Sequence, residues 1–131
     1  MTSPDPASVN LDASVNLDAS VNLDASVNLD EARTLLSSGA AILVDVREQH
    51  EWDAGHAEEA VHMPIGQLEA DALPPGMEII ITCRSGGRGK RATAALADAG
   101  LPVRNLTGGM RGWQSAGLPL ESASGAPGTV D

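Results

Sequence analysis

Cys83 is the only cysteine in the chain, and the residues after it, Arg84-Ser-Gly-Gly-Arg88, are of the types that turn a thiol into a nucleophile. It ends the most apolar run of the sequence, Glu78-Ile-Ile-Ile-Thr-Cys83, and a helical stretch from Lys90 to Ala99 follows the Gly-rich turn. In an open α/β sheet, ligands bind beyond the carboxyl ends of the strands, where such a cysteine would sit. Gly86 and Gly87 accept dihedrals that other residues avoid, so the turn can aim its N–H groups inward as an anion-binding nest. The helix N-terminus behind it adds partial positive charge. Both effects favour the thiolate, the form that attacks. Arg84, Arg88, Lys90 and Arg91 are four of the chain's eight basic residues, set against 18 acids. A basic loop on an acidic domain draws small anions to the thiol. The plainer reading makes Cys83 an inert core residue and the arginines a solvated helix start. The Gly-rich basic loop directly after the cysteine tips the balance to the nucleophile.

Composition sets the outer bounds. The chain has 131 residues, 42% hydrophobic and 20% charged, with two Trp and no Phe or Tyr, the balance of one soluble domain. No apolar run approaches the ~18–20 residues of a membrane span. A net charge of −10 speaks against nucleic acid and against anionic membrane surfaces as partners. Met1-Thr-Ser-Pro-Asp-Pro lacks the basic start and apolar stretch of a secretory signal. One cysteine forms no internal disulfide, which points to a reducing, cytoplasmic compartment. No paired Cys or Cys/His spacing marks a metal site, so none is expected.

The elements that must position Cys83 begin after a repeat. Residues 7–30 are four tandem copies of Ala-Ser-Val-Asn-Leu-Asp. As one continuous strand this segment would span ~80 Å, far more than the rest of the chain could pair with. The expected organisation is therefore an acidic, disordered leader over 1–24, a folded domain over 25–120 and a flexible Ser/Gly/Ala/Pro tail over 121–131. In the last copy Asn28 stands three residues before Glu31, the spacing of a capping box, and Leu29 to Ser38 reads as a helix. Ser26-Val27, Ala41–Val46, Ala60–Met63, Glu78–Cys83 and Val103–Leu106 read as strands. Between and after them, a short helix is expected around Glu51, and further helices over Ile65–Ala72, Lys90–Ala99 and Gly109–Ala116. Strands separated by helices define an α/β fold with a mainly parallel sheet.

These residues together resemble the rhodanese family, sulfurtransferases that carry sulfane sulfur as a cysteine persulfide. The resemblance spans about residues 25–120. It rests on Leu43-Val-Asp-Val-Arg47, Glu51, Gly55-His56, Met63-Pro64, Cys83-Arg-Ser-Gly-Gly-Arg88 and Gly108-Gly-Met-Arg-Gly-Trp113. It implies a parallel sheet of about five strands flanked by helices on both faces. Two departures stand out: Glu58-Glu59, where many members carry a Gly in the turn, and Gly89, where members often carry a small hydroxyl residue.

Carried over residue by residue, the resemblance makes Cys83 the nucleophile and persulfide carrier. Arg84 and Arg88 would hold the anionic end of a donor such as thiosulfate, with Ser85, Gly86 and Gly87 completing the binding loop. The implied partners are small sulfur-containing anions, thiols and a thiol-bearing acceptor protein; no cofactor is implied. Asp45 and Arg47 read as a supporting polar network rather than as catalysts. His56 reads as a hydrogen-bonded scaffold residue before a general base, and His62 more so. Trp113 reads as core or site wall. Two alternatives stay open. A sulfur-relay carrier or binding module would use the same persulfide for one protein partner. A cysteine phosphatase or arsenate reductase resembles Cys-x5-Arg, but here that sixth position is Gly89, and Arg88 comes one residue early. The shorter loop suits a sulfur atom better than a tetrahedral phosphate.

Overall fold

The structure is a computed structural model that describes residues 25–130. The first three repeat copies, and the leader expected there, lie outside the described residues.

Five short strands form one parallel sheet: β1 (Ser26–Val27), β2 (Ala41–Asp45), β3 (Ala60–His62), β4 (Glu78–Thr82) and β5 (Val103–Leu106), in the order β1-β5-β4-β2-β3. β4 lies at the centre, with Ile81 opposite Val44 on one side and Asn105 on the other. Strands buried on both faces read as continuous apolar runs, and Ile79, Ile80 and Ile81 are all fully buried. Successive side chains alternate between the faces. Ile80 and Leu43 pack with Ala32, Met110 and Trp113 on one face, while Ile79, Ile81, Val44 and Cys83 pack with Ala92 and Leu96 on the other.

Four helices supply the cover: α1 (Leu29–Ser37), α2 (Gln49–Ala54), α3 (Gly87–Asp98) and α4 (Gly109–Ser115). α1 starts as the capping signal predicts, with the Glu31 N–H donating to Asn28 Oδ1 at 2.8 Å. α2 carries a capping box of its own, in which the Glu48 N–H donates to Glu51 Oε1 at 3.0 Å.

Two expected elements differ. The helix predicted over Ile65–Ala72 is a pair of 3₁₀ turns, Ile65–Gln67 and Ala70–Ala72. The segment is too short for a marginal helix to outweigh the docking of Ile65, Leu68 and Ala70 onto the core. The helix predicted from Lys90 begins three residues earlier, at Gly87. Tertiary anchoring overrides the low helix propensity of Gly87 and Gly89.

The segment expected as a flexible tail folds back on the domain. Glu121 and His56 exchange both backbone hydrogen bonds, at 2.8 and 2.9 Å. Val130 is buried in the core, held by Gln114, whose Oε1 accepts from the Val130 N–H at 2.7 Å and whose Nε2 donates to the Val130 carbonyl at 3.2 Å. Thr129 passes so close to Gly55 that a Cβ there would overlap its backbone. Composition alone misses this, because it takes one apolar anchor and one Gln to dock a small-residue segment. Truncation after Glu121 is expected to cost about 2 kcal/mol, the burial of one Val plus its hydrogen bonds, and to lower Tm by several degrees in a thermal melt.

Candidate functional site

β4 delivers Cys83 to the carboxyl end of the central strand, and the chain then turns over Arg84-Ser-Gly86 into α3. The sulfur is the hub of this turn. Its Sγ accepts from the Gly86 N–H at 3.0 Å and from the Gly89 N–H at 3.2 Å. Gly86 has φ +127°, which only glycine adopts readily, and that conformation caps α3 without any side chain. Cys83 itself is 1% exposed.

The loop is held from two sides. From α4, the Met110 N–H donates to the Cys83 carbonyl at 2.7 Å and the Arg111 N–H to the Arg84 carbonyl at 2.9 Å. Gly109 permits the approach, since a Cβ there would lie 2.5 Å from the Cys83 oxygen. From α2, Glu51 receives a bidentate pair from Arg88, Nη1 to Oε1 at 2.6 Å and Nη2 to Oε2 at 2.9 Å. Arg84 is half-buried, and Ser85 and Gly87 are exposed at the rim.

The Arg88 pair has a pH signature. The hydrogen bonds from Arg88 outweigh partial burial and hold the Glu51 carboxyl at about 2, against an ordinary 4.5; Arg88 in turn is raised by the same contact. A depressed carboxyl pKa stabilises the fold above the unfolded value, and that stabilisation is lost as pH falls through about 4.5 towards 2. Tm measured against pH is therefore expected to separate the parent from Glu51→Gln near neutrality. The two curves should converge in that acid window.

The remaining expected site residues are close-packed support. Asp45 and Arg47, both buried, form a bidentate pair at 2.7–2.9 Å, and Arg47 also donates to the Gly55 carbonyl at 2.7 Å. This clamp ties the end of β2 to the end of α2, the helix that presents Glu51. His56 Nδ1 lies 2.8 Å from the Trp52 carbonyl, and His62 Nε2 lies 2.8 Å from the Arg47 carbonyl. Their rings stack with Trp52, at centroid distances of 3.7 and 4.7 Å. Trp113 is buried in the cluster on the sheet face opposite Cys83, with Nε1 donating to the Pro119 carbonyl at 3.1 Å. Glu58 and Glu59 close their turn with the Ala60 N–H donating to the Ala57 carbonyl.

Three contributors escaped the sequence reading of the site: Glu51 as the partner of Arg88, Met110 at the Cys83 carbonyl, and Asn105, whose Nδ2 donates to the Gly86 carbonyl at 3.3 Å. Glu51 and Met110 lie within motifs visible in the sequence. Asn105 had only a faint signal, a neutral polar residue beside Arg104 in the short strand Val103–Leu106.

The structure of a human single-domain sulfurtransferase superposes with a TM-score of 0.61 at 32% identity, covering 70% of this chain and 96% of that one. Thiosulfate sulfurtransferase 18 of Arabidopsis thaliana is 33% identical over 114 residues, 74% of this chain and 83% of its own length. An uncharacterized protein of Synechocystis is 35% identical over 96 residues, 71% of this chain, which spans only about half (54%) of that relative. Residues 28–116 match the rhodanese-like domain, from the cap of α1 to the end of α4. The cysteine loop, the parallel sheet that carries it and these matches agree: the chain belongs to the rhodanese-like family.

Proposed function

We propose that this protein is a sulfurtransferase that moves a sulfane sulfur, from thiosulfate or a persulfide, to a thiophilic acceptor through a persulfide on Cys83. The observation that carries this reading is the pair of backbone N–H groups on the Cys83 sulfur. Donors fixed in advance stabilise a negative sulfur without reorganisation during the reaction. The Cys83 thiolate attacks the outer sulfur of thiosulfate, and an S–S bond forms to Cys83. The sulfur–sulfur bond of the donor breaks, and sulfite leaves with the electron pair. An acceptor thiolate then attacks the terminal sulfur, and Cys83 departs as thiolate, ready for the next cycle.

The names of the Arabidopsis and human relatives support transfer of sulfur as the chemistry. Spacing bears on the phosphatase alternative: the sixth position after Cys83 is Gly89, whose N–H meets the sulfur, and Arg88 stands one residue early. Intact-protein mass spectrometry after exposure to thiosulfate tests the proposal. A gain of one sulfur atom, removed by a thiol and absent in Cys83→Ser, is expected. No mass change at Cys83 with either thiosulfate or a persulfide donor would overturn it.

A further inference from the structure

Asn105 stands in β5, directly behind the cysteine loop, and is 4% exposed. Its Nδ2 donates to the Gly86 carbonyl at 3.3 Å, a carbonyl that also accepts from the Lys90 N–H at 3.0 Å. A carbonyl can only accept, so the amide nitrogen must face Gly86, and this directs Oδ1 at Gly89. A Cβ built on Gly89 would overlap that oxygen and would lie 3.5 Å from the Cys83 sulfur. Oδ1 has no hydrogen-bond partner, one of two buried side-chain polar atoms in that position among the described residues. Buried polar atoms are rarely left so, and each such case calls for a reason.

The reason here is geometric. Gly86 and Gly89 are the two residues whose N–H groups meet the sulfur, and Asn105 touches the surroundings of both. We propose that Asn105 is a positioning residue for Cys83: its amide pins Gly86, and its bulk fills the space over Gly89, fixing both donors on the sulfur. The missing side chain at 89 and the Asn at 105 are then two halves of one fit. The proposal deepens the sulfurtransferase reading and concerns the same loop, but its test does not depend on turnover.

Four variants of the full chain separate the two roles: Asn105→Ala, Asn105→Leu, Gly89→Ala and the double variant Gly89→Ala/Asn105→Ala. Leu preserves most of the bulk and cannot donate to Gly86. The readouts are Tm and the ultraviolet absorbance of the thiolate against pH, with Cys83→Ser as blank, so no reagent has to enter the loop. Arg84, Arg88 and its partner Glu51, the charged groups around the sulfur, are unchanged throughout. Asn105→Ala and Asn105→Leu are both expected to move the thiolate titration to higher pH than in the parent, because a loosened hydrogen bond to the charged form disfavours that form. Gly89→Ala is expected to lower Tm in the parent and to cost much less in the Asn105→Ala background, a non-additivity that marks direct contact.

A merely structural Asn would lower Tm and leave the thiolate titration of the folded protein where it was; that result overturns the proposal. Equal cost of Gly89→Ala in both backgrounds overturns it as well. If thiosulfate fails to load sulfur on the parent, the sulfurtransferase reading falls, while the titration still judges Asn105.

Discussion

Cys83→Ser is expected to abolish sulfur transfer and to leave the fold standing. No second cysteine exists to take over the persulfide. Serine oxygen forms no stable counterpart of a persulfide, so the covalent route closes rather than slows. The activity that remains should fall by at least ~10³-fold, the scale seen when a nucleophile is removed from an intact site. Stability is a separate matter. The Cys83 side chain is buried between the Gly86 and Gly89 N–H groups, and a hydroxyl can accept from both in place of the sulfur. A change within about 1 kcal/mol is therefore expected, since no cavity larger than an atom's difference opens and both N–H groups keep an acceptor. Sulfur transfer from thiosulfate to cyanide or a thiol, measured beside a thermal melt, checks both halves. Retained transfer with a normal melt would end the covalent mechanism. Loss of transfer together with collapse of the fold would make Cys83 a core residue first.

Much of this arrangement was legible in residue order. Alternation of apolar runs with helical stretches predicts the parallel sheet, and the strand Val103–Leu106 falls where the pattern puts it. Asn28 caps α1 as its spacing to Glu31 requires. What escaped depends on contacts between distant segments. No local pattern tells that Arg88 meets Glu51, 37 residues away, instead of solvent. None tells that Val130 returns to the core through Gln114. Helix propensity also misplaces the start of α3, because Gly89, which disfavours a helix, is the residue whose bare backbone fits between the sulfur and Asn105. Glycine here answers to close approach, a tertiary demand that overrides local preference.

Arg88→Ala is expected to lower kcat/KM for thiosulfate by at least tenfold. A tenfold loss corresponds to ~1.4 kcal/mol, within the range of a hydrogen bond to a charged group. Glu51 engages one N–H on each terminal nitrogen of Arg88. A guanidinium has five N–H donors, so three remain for a donor anion at the mouth of the loop. The carboxylate fixes the fork in place, and the pair is 26% and 18% exposed, dry enough to stay ordered. The loss should be smaller with an uncharged sulfur donor, because the missing contact is with charge. For the parent, the advantage with thiosulfate should shrink in high salt, as partly exposed attraction is screened. Because Arg88→Ala also strands the Glu51 carboxylate beside the loop, the double variant Arg88→Ala/Glu51→Gln removes that complication. If stranding alone caused the loss, the double variant would recover; an anion contact predicts that it does not. Equal impairment of charged and neutral donors, or unchanged thiosulfate kinetics, would instead make Arg88 a helix-start residue. Its work would then be to hold α3 against α2 and keep the Gly86 and Gly89 donors on the sulfur.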